Sequence, residues 1–150
     1  MINTVIDDID REILRALQID SRLTQRELGR TVGLSPNAAG ARVQRLIDRG
    51  VITGFHIALD HAVLGRPIEA TIDVWQYDNR DRDALHRLVV ADDRIIECFQ
   101  LTGPLDFRIR ARVASPEDLN DLLSTMQTEG GVRQTDSRLV LEQIPVTGTL

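Results

Sequence analysis

Apolar residues recur at helical spacing through the first third of the chain, and later they switch to strict alternation. Ile6, Ile9, Ile13, Leu14 and Leu17 fall on one face of a first helix, with Asp7 as a cap and acids in the first turn, where the helix dipole favours them. Thr24 opens a short second helix that carries Leu28, and Glu27 follows at capping-box spacing. That helix ends near Val32, and Gly33 supplies the turn. Ser35 caps a third helix and Pro36 takes its first position, where a missing N–H costs nothing. Ala39, Val43, Leu46 and Ile47 form its apolar face, and Gly50 ends it. Residues 51–60, VITGFHIALD, are rich in β-branched and aromatic side chains and predict a strand. Gly65 and Pro67 break structure after it and mark a domain boundary.

Beyond that boundary strands and helices alternate. Ile68, Ala70, Ile72 and Val74 alternate with Glu69, Thr71, Asp73 and Trp75, the pattern of a half-buried strand. Residues 81–90 predict a helix with Leu85, Leu88 and Val89 inward, and residues 95–102 predict a strand. Gly103, Pro104 and Leu105 form a hairpin connection to the clearest strand of the chain, where Phe107, Ile109, Ala111 and Val113 alternate with three arginines. Ser115-Pro116-Glu117-Asp118 opens a helix lined by Leu119, Leu122, Leu123 and Met126. Gly130-Gly131 ends it, and a last strand covers 132–142.

The order βαββαβ folds as a ferredoxin-like sheet with both helices on one face. The fold class is therefore α+β. A three-helix (winged) helix-turn-helix domain occupies 1–52, a linker strand and hinge 53–66, and a ferredoxin-like domain 67–150. The helix-free sheet face carries Glu69, Asp73, Arg108, Arg110 and Arg112 on strands expected to be neighbours, so opposite charges can pair across it. Trp75 on that face favours a second subunit as its cover.

Composition narrows the function. No apolar run approaches a bilayer span, and MINTVIDDID lacks the basic start and apolar middle of a signal peptide, so a cytoplasmic protein with no membrane partner is expected. The single cysteine, Cys98, excludes an intrachain disulfide and reads as a small buried apolar residue. The chain has no lysine, so each of its 18 side-chain cations is an arginine guanidinium. Residues 1–60 carry eight arginines and eight acids, whereas residues 61–150 carry ten and fifteen, and hold the whole net charge of −5. Within 24–50 the local charge is +3, from Arg26, Arg30, Arg42, Arg45 and Arg49 against Glu27 and Asp48. Local potential governs phosphate binding, so an acidic protein can carry a DNA footprint. Two short helices with a tight turn, the second bearing Arg42, Arg45 and Arg49 in a row, form the pattern of a helix-turn-helix that enters the major groove.

Both halves together resemble the Lrp/AsnC, or feast/famine, family of transcriptional regulators. The residues that carry the resemblance are Ile6-Asp7-x-x-Asp10-x-x-Ile13-Leu14, Arg22 with Glu27-Leu28, and Gly33-Leu34-Ser35-Pro36. They continue through Arg42-Val43-x-Arg45-Leu46, Gly50-Val51-Ile52-x-Gly54, Thr102-Gly103-x-x-Asp106 and Gly131-Val132. The resemblance implies a sequence-specific regulator of double-stranded DNA, dimers that assemble to octamers, and an amino acid or other small effector bound between dimers. On that analogy Thr24, Ser35, Pro36, Asn37, Arg42, Arg45 and Arg49 belong to the DNA interface. Ser35 and the helix N-terminus would hold phosphate, Asn37 would read adenine, and Arg42 and Arg45 would read guanine or hold phosphates. The effector site implied is Thr102, Gly103, Leu105 and Asp106 with Thr135 and Ser137. Pro104 and Leu105 stand where members often carry an acid and an aromatic, so the pocket is expected to be more apolar, to take another ligand, or to be unused. Asp106 equally suits plain hairpin chemistry.

Two other readings stay open at this point. Haem-precursor decarboxylases resemble the same two-part architecture and rely on histidines, but His56, His61 and His86 show no metal-ligand spacing and no catalytic motif accompanies them. No cofactor or metal is expected, and no enzyme activity. An architectural protein that coats DNA with little sequence preference is the second alternative. Gly40, inside the third helix, costs about 1 kcal/mol relative to alanine and either permits close approach to DNA or is tolerated.

Overall fold

The computed structural model describes residues 6–77 and 82–144. The backbone divides into two compact units, one reaching Ala58 and the other running from Leu59 to Ile144. The first unit holds α1 (Asp8–Ile19), α2 (Gln25–Val32) and α3 (Pro36–Asp48). Their starts are set by side chains that satisfy otherwise unpaired N–H groups. Asp7 accepts from the Asp10 N–H at 2.8 Å, Ser35 accepts from the Ala38 N–H at 3.2 Å, and Thr24 and Glu27 form a reciprocal capping box. Gly33 and Gly50 take positive φ, 70° and 69°, just past the ends of α2 and α3. Ile13, Leu28, Ala39 and Leu46 close the core of this unit, with Leu14 and Val32 beside them. Val43 is half-buried against that core, and Ile47 sits at its margin with 37% exposure.

The glycines of α2 and α3 have different surroundings. A Cβ on Gly40 would lie 2.7 Å from the Gln25 side chain, whose flexible amide end can move away, so packing does not demand glycine there. A Cβ on Gly29 would lie 2.6 Å from the Leu34 carbonyl oxygen, which is backbone and cannot swing aside.

The predicted strand over 51–60 is absent. Those residues form bends and irregular backbone, and the wing expected of the first domain is not there. Strand propensity alone does not make a strand. The ladder needs a partner, and the first unit, which holds residues 51–58, contains no other strand among the described residues. Phe55, Ile57 and Leu59 are left 51%, 82% and 52% exposed.

The second unit follows the expected βαββαβ order: β1 (Ile68–Gln76), α4 (Arg82–Ala91), β2 (Ile95–Gln100), β3 (Phe107–Val113), α5 (Pro116–Thr128) and β4 (Val132–Leu139). All pairings are antiparallel, in the sheet order β2-β3-β1-β4. Ile72, Val74, Ile109, Ala111 and Val113 pack on Leu85, Leu119, Leu122 and Met126 to form one core on the helix side. β4 stops at Leu139, short of the predicted 142: Leu139 pairs with Ala70, and the Val140 N–H makes one more bond to the Glu69 carbonyl, past which β1 continues paired with β3 alone. Cys98 is half-buried on β2, and burial raises its thiol pKa.

The other sheet face is a lattice of ion pairs. Register sets Glu69 opposite Arg112 and Asp73 opposite Arg108. Arg108 binds Asp73 through Nε and Nη2 at 2.7 and 3.0 Å, and Arg138 reaches the same carboxylate at 3.0 Å. Arg110 and Arg112 share Glu69, and Arg110 also holds Glu97 at 2.7 Å. Glu69 and Asp73 are consequently buried, at 6% and 4% exposure. Arg94, just before β2, is enclosed by Asp92, Asp118 and Asp121 at 2.6–2.9 Å, and Arg66 ties the turn before β1 to Asp93 at 2.7 Å.

This packing can be tested at two positions. Gly29→Ala overpacks the α2–α3 turn and should lower stability by about 1–3 kcal/mol in urea unfolding. The Arg108 guanidinium, and then Arg138, hold the Asp73 carboxyl below its ordinary pKa. A depressed carboxylate contributes stability above its unfolded pKa and loses it as pH falls through the folded value. Asp73→Asn should therefore be less stable than the parent at neutral pH, and the gap should close in acid, below the ordinary aspartate pKa of about 4. Denaturant midpoints across pH measure it.

Candidate nucleic-acid interface and effector loop

The N-terminus of α3 is the exposed end of the helix-turn-helix. Ser35, Pro36 and Asn37 are all solvent-facing. The Ser35 hydroxyl accepts from Ala38 N–H, and an accepting hydroxyl keeps its own proton to offer a phosphate oxygen. Arg45 is exposed in the last turn of α3, and Arg49, its C-cap, is exposed one turn further. Arg26 and Arg30 are exposed on α2. Thr24 is committed to its cap: its hydroxyl accepts from Glu27 N–H at 3.2 Å, and its own N–H donates to Glu27 Oε2 at 2.9 Å.

Arg42 departs from the expected outward row. Its Nη1 lies 2.6 Å from Asp7 Oδ2 and 2.7 Å from Asp10 Oδ1. The side chain is 21% exposed and lies across to α1 instead of projecting with Arg45 and Arg49. The cause is Asp10, which sits in the apolar stripe of α1 at 6% exposure and requires a cation there. Those hydrogen bonds lower the pKa of Asp7 and raise that of Arg42. Sequence reasoning missed this tie, although an acid inside an apolar stripe was its signal.

In the second unit the residues of the expected effector site do not gather in one place. Thr102, Gly103, Leu105 and Asp106 lie in the β2–β3 connection, where Gly103 has φ 122°. Thr135 and Ser137 lie on β4 opposite Val74 and Ile72, and β1 separates β4 from β3. The loop is pinned to the end of β1 by three bonds. Gln76 N–H donates to Asp106 Oδ2 at 2.8 Å, Asp106 N–H donates to the Val74 carbonyl at 3.0 Å, and Trp75 Nε1 donates to the Pro104 carbonyl at 2.6 Å. One Asp106 oxygen thus serves the loop itself. A cleft of about 320 Å³ opens beside it, walled by Gln76, His86, Gln100, Leu101 and Phe107. His86 meets the Phe107 ring edge-on at 6.0 Å. A larger groove, about 890 Å³, runs between α4 and α5 around Arg94 and contains none of the expected effector residues. Among the described residues no group of three His, Cys, Asp or Glu side chains is placed to share a metal ion, and no helix is long and apolar enough to cross a membrane.

A helix-turn-helix with an exposed, capped recognition helix, joined to a ferredoxin-like unit, defines a two-part DNA-binding regulator. Residues 6–47 match the AsnC-type helix-turn-helix domain, and residues 70–150 match the Lrp/AsnC ligand binding domain. The chain belongs to the Lrp/AsnC family of DNA-binding transcriptional regulators. It is 32% identical to the regulator LrpA of Mycobacterium tuberculosis over 139 residues, 93% of this chain and 92% of that one. It is 29% identical to the leucine-responsive regulatory protein of Haemophilus influenzae, covering 99% and 91% of the two chains. A Neisseria meningitidis transcriptional regulator solved with L-methionine superposes with a TM-score of 0.89 at 29% identity, over 96% of this chain and 95% of the other. A feast or famine regulatory protein of M. tuberculosis, also solved with L-methionine, gives 0.86 at 33% identity, over 94% and 95%. The family is one of regulators, not enzymes, so the decarboxylase alternative falls.

Trp75→Phe keeps an aromatic ring and removes the donor. It should cost about 0.5–1.5 kcal/mol in urea unfolding, with faster amide exchange confined to the 101–106 connection.

Proposed function

We propose that this chain acts in the cytoplasm as a homodimer that binds operator DNA through α3 and that its second unit answers an amino acid or similar small effector. The observation that carries the DNA half is the exposed start of α3, where Ser35, Pro36 and Asn37 are solvent-facing, with Arg45 and Arg49 exposed further along. Ser35 and the helix N-terminus are suited to phosphate, Asn37 to an adenine edge, and the two arginines to guanine or phosphate. The charge-paired sheet face is the surface assigned to dimerisation, with octamers built from those dimers. Support for the effector half comes from relatives solved with L-methionine and from the cleft beside Asp106. In that cleft Asp106 would attract an α-ammonium, and Leu101 and Phe107 would offer apolar walls to a side chain. Assembly of copies is what would bring the Thr102–Asp106 loop of one near Thr135 and Ser137 of another.

Fluorescence anisotropy on a duplex from upstream of the chain's own coding sequence tests the DNA half. Binding should weaken steeply with salt, and Arg45→Ala should flatten the plot of log K against log salt by about 0.9, the loss of one phosphate contact. Equal affinity for a random duplex would instead favour the architectural reading. L-methionine titrated into the complex tests the effector half, which fails if neither affinity nor assembly state responds to it or to any other amino acid.

A further inference from the structure

We infer that Arg42 is a positioning residue for DNA reading: held by Asp7 and Asp10, it locks α3 to the start of α1 and sets the angle at which Ser35, Asn37 and Arg45 meet the duplex. This rests on the DNA-binding reading and goes beyond it, because the middle of the recognition helix then acts through α1 and not on the bases.

Three observations carry the inference. The guanidinium sits within 2.7 Å of two carboxylates on a different helix. Asp7 uses its two oxygens for two tasks, one capping α1 through the Asp10 N–H and the other holding Arg42, so the strut is fastened to the first turn of α1. Asp10 is buried. If Arg42 swung out to DNA it would leave that carboxylate buried and uncompensated, which is strongly unfavourable. The apolar core between these helices, built on Ile13, Leu28, Ala39 and Leu46, is held together by non-directional burial. A charge-assisted bond between fixed partners is directional. The strut therefore adds an angular constraint to that packing.

The two roles predict opposite results for removing the acids. If Arg42 is a DNA contact, Asp10→Asn leaves only Asp7 holding its guanidinium, removes a nearby negative charge and tightens binding. If it is a strut, Asp10→Asn loosens α3 and weakens binding. The experiment is anisotropy on the same upstream duplex over a salt series, at a temperature where circular dichroism shows each variant fully folded, so that lost stability alone does not move the affinity. Arg42→Gln and Asp10→Asn should each weaken binding by about 3- to 30-fold, with the double variant no weaker than the worse single, as for residues in one network. The salt slope should stay at the wild-type value, unlike that of Arg45→Ala. Asp7→Asn serves as a further variant if either of those two substitutions prevents folding, since an asparagine still caps α1 while losing the charge that holds Arg42; it should weaken binding as well. A slope flattened by about 0.9 in Arg42→Gln, or unchanged or tighter binding in the Asp7 and Asp10 variants, overturns the inference while leaving DNA binding intact. Absence of salt-sensitive binding by the wild-type chain overturns the parent reading, and this one with it.

Discussion

Asp10, Glu69 and Asp73 are buried carboxylates, and each is held by at least one arginine from another element. Burying an ionised carboxylate without a partner costs several kcal/mol, so these three acids dictate which elements must lie side by side. Asp10 requires α3 beside α1, Glu69 requires β3 beside β1, and Asp73 requires both β3 and β4. The use of arginine throughout matters here. A guanidinium offers donors in a fixed fork, so Arg108 takes Asp73 through two nitrogens and Arg110 can bridge Glu69 to Glu97. An ammonium would hold the same charge without the same angular definition.

Much of the fold was legible because its signals are local. The Thr24–Glu27 box, the Ser35-Pro36 and Ser115-Pro116 starts, and the alternation through β1 and β3 each depend on residues within a few positions of one another. What was not legible depends on partners distant in sequence. The 51–60 segment has strand composition, but the first unit, which holds residues 51–58, offers no strand to pair with among the described residues. Arg42 belongs to the right helical stripe for DNA, yet Asp7 and Asp10, more than thirty residues earlier, claim it. By sequence Gly40 suits a close approach to DNA, whereas in space the Gln25 side chain lies against it. The effector residues illustrate the same limit. The Thr102–Asp106 motif and the hydroxyls of β4 can be named from sequence, but only the sheet order reveals that β1 stands between them.

That order gives β1 two jobs. Near its beginning Glu69 anchors the charged face, and at its end Trp75 and Gln76 hold the β2–β3 connection. The bulge between Trp75 and Gln76 on the β4 side falls at the same point, where the regular ladder gives way to side-chain bonds.

An effector near Asp106 therefore meets a loop that is already satisfied. A ligand shifts a conformational equilibrium only by its difference in affinity for the two states. To move the connection it must offset the loss of the bonds to Gln76, Val74 and Trp75, each contributing about 0.5–1.5 kcal/mol net where water can take the freed groups. An ammonium group drawn to Asp106 from the cleft does the reverse: it adds a partner to the carboxylate without removing one and stabilises the loop as it stands. If Asp106 is the effector contact proposed above, its chemistry favours an effector that fixes the connection over one that displaces it, and β1 is bonded both to that connection and to the charged face.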